Sequence, residues 1–255
     1  MRDPVVLLPP SRGKEPGGAG PGWRDAPPGR FARLDPDRRR LLRALRAAGS
    51  PPGLERAPTL PAIERYVGVL FTHLDAPSLP PAAASRLGRD VVLLSALWGL
   101  LAPADLIPAY RLTMAAAVEP LGRLSGWWRP RLSPVLDTRV SGAVVWDLLS
   151  AEYGAAWRPL AGATYARRIT PRIVAEVRRA DGGAVRTGVS HHAKAVRGAL
   201  ARQVLLHGLE DPAELATVDP ADLLGHDVDL SRTLVTGTDV TVELVRPLDE
   251  PARRH

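Results

Sequence analysis

The sequence predicts a mixed α/β protein: a central mixed sheet flanked by helices, with hairpin additions. Three observations carry that expectation. Short apolar runs such as residues 90–96 and 143–149 are bounded by polar residues, as expected of strands covered on both faces. Each run feeds a polar turn, and strand, turn and helical spacing recur along the chain. The last third carries the alternation and Gly-rich turns of hairpins.

The elements follow in order. Residues 4–8, Pro-Val-Val-Leu-Leu, read as a short buried strand entering the turn Pro9-Pro10-Ser11-Arg12-Gly13-Lys14. Residues 12–30 are dense in glycine and proline and read as a flexible loop. Residues 34–48 have helical spacing, with Asp35 as a cap, Pro36 at the first position, Gly49 as a stop, and Arg38, Arg39 and Arg43 on the polar face. Residues 61–74 read as a second amphipathic helix, with Ile63, Tyr66, Val67 and Leu70 on one side and Glu64 and Arg65 on the other. After the two buried runs, alternation over 172–177 and the turn Asp181-Gly182-Gly183 predict a hairpin within 165–189. Ser190 caps a helix to about His207, and residues 234–236 and 240–245 form a closing antiparallel pair. No repeat or linker interrupts the chain, which predicts a single domain.

At 255 residues and 45% hydrophobic content the chain can bury a real core. It has no cysteine, which excludes disulfides, thiolate metal sites and a cysteine nucleophile and favours a cytoplasmic location. Apolar runs fall short of the ~20 residues that span a bilayer, and no signal-peptide pattern opens the chain. The formal charge of +7 favours anionic partners or reflects composition alone. Among the 34 cationic residues only Lys14 and Lys194 are lysines. Arginine keeps its proton, whereas lysine is a compact charge that can lose one, so these two positions stand out.

Both fall in segments suited to an anion. In Ser190-His191-His192-Ala193-Lys194-Ala195-Val196-Arg197, helical spacing puts His191, Lys194 and Arg197 on one side of the first two turns. Cations there oppose the helix dipole, so a partner is needed, either a bound phosphate or carboxylate or an internal acid. The turn Ser11-Arg12-Gly13-Lys14 could present amides and an amine to a phosphate, but it lacks the spacing of a P-loop. Adjacent His191 and His192 point apart on a helix, and His73, His207, His226 and His255 show no ligand spacing, so neither a metal nor a cofactor is expected.

Residues 94–114, Leu-Ser-Ala-Leu-Trp-Gly-Leu-Leu-Ala-Pro-Ala-Asp-Leu-Ile-Pro-Ala-Tyr-Arg-Leu-Thr-Met, closely resemble the signature of the YaaA family of bacterial peroxide-stress proteins. Residues 190–202 resemble the family's Ser-x-x-Ala-Lys-x-x-Arg-Gly helix, 7–14 its Pro-Pro-Ser-x-Gly-Lys turn, and 147–153 a segment after an inner strand. Arg12 stands where the family carries an acidic residue, and the tail from about 231 is poorly matched. The resemblance implies a cytoplasmic protein that protects against peroxide by lowering reactive iron and that binds DNA through a helix-hairpin-helix-like element. Residues 94–106 are the candidate for that element, against the plainer reading of an apolar strand ending in a turn.

Two functions follow. One is DNA binding through Arg111, Lys194, Arg197, Arg202 and surface arginines. The alternative is an enzyme acting on a nucleotide, nucleobase or other small anion. There Ser11, Lys14, His191, Lys194 and Arg197 would hold the ligand, Tyr110 and Arg111 would orient it, and Asp105, Asp147 or Glu152 would move a proton. No reaction is legible in the sequence itself, and buried ion pairs would use the same residues.

Overall fold

The computed structural model describes residues 2–50, 53–162, 164–178, 184–188 and 192–248. In chain order the main elements are β1 (Arg2–Leu8), α1 (Asp35–Ala47), α2 (Val69–Leu74), α3 (Pro81–Asp90), β2 (Val91–Ser95) and β3 (Gly99–Leu101). They continue with α4 (Leu124–Val140), β4 (Ala143–Asp147), α5 (Ala151–Gly154), β5 (Arg167–Arg178) and β6 (Ala184–Gly188). The chain closes with α6 (Ala193–His207), β7 (Asp227–Thr236) and β8 (Asp239–Leu248).

One mixed sheet of eight strands organises the molecule, in the order β7-β8-β5-β4-β1-β2-β3, with β6 also on β5. The strands β8, β5, β4, β1 and β2 run parallel, while β3, β6 and β7 are antiparallel additions. Every residue of β2 and β4 is buried, so the sheet is covered on both faces at its centre, as their unbroken apolar sequences require. The α/β architecture predicted from the apolar runs is the one observed.

Strand β5 has the feature that shapes the site. Its Arg167–Ile169 portion pairs with β4, and its Val174–Arg178 portion pairs with β6. Among the described residues, 170–173 pair only with β8, and Pro171 among them has no N–H to give to a further strand. This stretch lines the cleft described below.

Three expectations need correcting. The helix expected over 61–74 is broken: one turn (Ala62–Arg65), a two-residue strand (Tyr66–Val67) and α2 follow one another, with Gly68 at φ 155° between the last two. The two-residue strand pairs with Gly13–Lys14, an interaction invisible to local periodicity. Arg38 and Arg65, expected on polar faces, are buried. Arg38 donates to the carbonyls of Trp98 and Leu100 and pairs with Asp35 at 2.8 Å, while Arg65 donates to those of Glu15, Gly17, Pro58 and Ile107. Asp35 is thus the first residue of α1 rather than its cap. The helix-hairpin-helix candidate is instead the β2–β3 hairpin. Leu94, Ala96, Leu97, Trp98 and Leu100 are fully buried there, and the Trp128 indole of α4 donates to the Ala96 carbonyl. Within the candidate stretch 94–106 only Ala104 is exposed.

Candidate functional site

A cleft of about 1700 Å³ lies at the carboxyl ends of the parallel strands, where ligands of such sheets gather. The turn after β1 (9–14), the start of α2, the loop 111–116, the turn into α5 (150–153), residues 170–173 of β5 and the start of α6 line it. Ser11, Lys14, Arg111, Glu152, Lys194 and Arg197, six of the residues singled out in the sequence, meet there from distant parts of the chain, with Arg12 and Tyr153.

Local geometry explains the Gly13-Lys14 dipeptide. The two residues pair with Tyr66–Val67 so closely that a side chain on residue 13 would stand 2.7 Å from the Val67 carbonyl oxygen, so only glycine fits. Lys14 is thereby pressed against aromatic rings, its Nζ 4.3 Å from the Tyr110 ring centre and 5.6 Å from that of Tyr66. The amine donates to the Ser11 carbonyl at 2.8 Å, and the Ser11 hydroxyl in turn donates to the Gly13 carbonyl. Burial draws the Lys14 pKa down to about 8.

Behind Lys14 runs a row of hydroxyls. Tyr66 and Tyr110 are 2.8 Å apart, Tyr110 and Ser95 2.7 Å, and the Trp98 backbone N–H donates to Ser95. Burial pushes the Tyr66, Tyr110 and Tyr153 phenols above their ordinary range, so all three keep their protons at neutral pH. Tyr110 reaches the site through Lys14 rather than by lining the cleft. Tyr66 and Ser95 escaped the sequence analysis: one sat inside a seemingly regular amphipathic helix, the other at the end of an apolar run.

On the opposite wall, Lys194 is exposed and Arg197 half-buried. The Arg197 Nε is buried without a hydrogen-bond partner among the described residues. Burial lowers the pKa of this guanidinium, with the Asp147 charge acting against that. None of Arg12, Lys14, Arg111, Lys194 and Arg197 forms an ion pair among the described residues.

The other candidates have structural partners. Asp147 ends β4 beneath the cleft, accepting from the Leu149 N–H and from Arg168. Glu152 faces the cleft but also accepts from the Ala115 N–H at 3.0 Å, fastening the loop 111–116. Asp105 lies outside it, accepting from the N–H groups of Ala102 and Arg30. Arg202 also lies outside, donating to the Leu74 and Asp75 carbonyls at the end of α2. Ser190 and His191 fall outside the described residues. Among the described residues no three His, Cys, Asp or Glu side chains stand together as a metal site, and no helix is long and apolar enough to cross a membrane.

A family profile described as Peroxide stress protein YaaA matches residues 38–226. The chain belongs to the YaaA family of peroxide stress proteins. Relatives in the family extend across nearly the whole chain. A UPF0246 protein of Streptomyces coelicolor is 36% identical over 248 residues, covering 88% of this chain and 92% of its own. One from Methylibium petroleiphilum is 31% identical, covering 70% and 68%. One from Corynebacterium efficiens is 28% identical over 94% and 95%. The family match takes in α2 and α6 of the cleft lining but not the turn 9–14, and the Corynebacterium efficiens relative, covering 94% of this chain, extends past the matched region at both ends.

Proposed function

We propose that the cleft binds a small anionic ligand, a nucleotide, nucleobase or similar metabolite, and that the protein acts on it chemically in the cytoplasm. The single observation carrying this reading is the convergence of four cations without ion pairs among the described residues, Arg12, Arg111, Lys194 and Arg197, beside Lys14 on one concave site at the carboxyl ends of the parallel strands. Unpaired like charges repel and are costly to desolvate, so an arrangement of this kind calls for an anion. The protection from peroxide and the lowering of reactive iron that the family resemblance implies would then follow from turnover or sequestration of that ligand.

The test is calorimetric titration with inorganic phosphate and nucleoside monophosphates, using the parent protein and Lys194→Ala and Arg197→Ala variants. A charge-assisted hydrogen bond is worth about 1.5–3 kcal/mol, so each variant is expected to bind at least about tenfold more weakly. Parent-like affinity in both would sink the reading.

DNA binding is the second reading, and one observation favours it. Arg39, Arg40, Arg43 and Arg46 are exposed along α1, and the Arg39 guanidinium lies 5.9 Å from the Trp23 ring centre. Such a surface meets phosphates without a cleft. Duplex affinity across a salt series should then fall by ~0.9 log units per log unit of salt for each phosphate neutralised. Arg43→Ala should weaken binding while Lys194→Ala leaves it unchanged.

A further inference from the structure

We propose that Lys14 is the proton acceptor of the cleft: its neutral Nζ takes a proton from an O–H or N–H group of the bound ligand. The inference rests on the cleft reading above and adds a catalytic residue where the sequence pointed to carboxylates.

Lys14 lines the cleft, and among the described residues its Nζ meets two acceptors, the Ser11 carbonyl at 2.8 Å and the Arg12 carbonyl at 3.5 Å. The two N–H groups of a neutral amine suffice for both and leave its lone pair for a proton. Among the described residues no carboxylate pairs with it. Its low pKa matches that placement. Once protonated, the nitrogen sits over the π faces of Tyr110 and Tyr66, which stabilise a cation.

The neighbouring groups leave Lys14 the role. Tyr66, Tyr110 and Tyr153 hold their protons, so none of them is a phenolate that could take one from the ligand. Glu152 is committed in part to the Ala115 N–H, and Asp147 to Arg168. Arg12, Arg111, Lys194 and Arg197, which share the cleft, are cations and suit the ligand's negative charge. In the step itself an N–H bond forms at Nζ and an O–H or N–H bond of the ligand breaks. The electron pair stays on the ligand atom, and the ammonium later returns the proton to the product.

With only two lysines in the chain, the test needs no variant. Trace labelling with acetic anhydride from pH 6 to 11, read by mass spectrometry, gives the midpoint at which Lys14 becomes reactive, with N-acetyl-lysinamide as internal standard. The expected midpoint is near pH 8, against ~10.4 for a free lysine side chain. A midpoint at the standard's value overturns the proposal. A second series in saturating inorganic phosphate separates the two readings. Protection of Lys194 with Lys14 still titrating well below the standard supports both. A Lys14 midpoint raised to that of the standard makes it an anion ligand and overturns only the proton-acceptor role. If phosphate neither binds by calorimetry nor changes either lysine, the anion-binding reading fails and the proposal falls with it, whatever the midpoint without phosphate.

Discussion

Arg38 and Arg65 show how this chain uses its commonest cation. Each is fully desolvated, and each spends its fork of N–H donors on backbone carbonyls of other segments, joining α1 to the β2–β3 hairpin and the Gly/Pro-rich stretch to the loop beside it. Arg38→Met should therefore cost about 3 kcal/mol or more in urea unfolding, because two buried carbonyls and Asp35 lose their partner. Ser95→Ala removes the hydroxyl shared by the Trp98 N–H and Tyr110, and a loss of about 1–3 kcal/mol is expected in the same measurement. Lys14 gives a pH signature. Its folded pKa lies below the unfolded value, so the unfolded chain binds more protons between about pH 8 and the ordinary lysine range, and stability rises with pH across that window. The raised tyrosines act oppositely above pH ~10, where the unfolded phenols ionise first. Denaturant midpoints from pH 8 to 10 should climb for the parent relative to Lys14→Met. Parallel profiles would show that burial does not perturb this amine.

At the scale of elements, α2 and α6 touch through a glycine. A side chain on Gly198 would place its first carbon 2.1 Å from the Leu70 carbonyl oxygen and 3.0 Å from His73 Cβ. In an open helix Gly→Ala gains about 0.5–1 kcal/mol. Here Gly198→Ala should instead lose about 1–3 kcal/mol by overpacking, and thermal unfolding reads the sign directly. The same elements show what local sequence can reveal. The strands β1, β2 and β4 were legible because continuous apolar runs have few other uses, and the β7–β8 pair because alternation and a turn suffice. Helix α4 was missed because Pro130 and Pro134 lie inside it and proline reads as a breaker. The break at Gly68 was missed because its cause is pairing with residues more than fifty positions earlier. In the site, Lys14, Lys194 and Arg197 stood out through the rarity of lysine and the spacing of one helix. Tyr66 and Ser95 did not, since only the folded chain brings their hydroxyls to Tyr110.

Over the whole molecule, the site is assembled by topology. The turn after β1, the turn after β4 and residues 170–173 of β5 come together because those strands are neighbours in the sheet, though they lie far apart in sequence. Strand β1 sits inside the sheet, with Val6 and Leu7 facing Val91 and Val92 on one side and Trp146 and Asp147 on the other. Its position also governs how the protein is made. Strand β1 is synthesised before both of its sheet neighbours, and its second partner is complete only when residue 147 has been added. At about 5–20 residues per second that interval is roughly 7–28 s, during which an apolar strand has an unsatisfied edge. Until it is paired, that edge is open to strand addition from another chain, and the cleft, lined by residues as late as Thr241, is complete only later still.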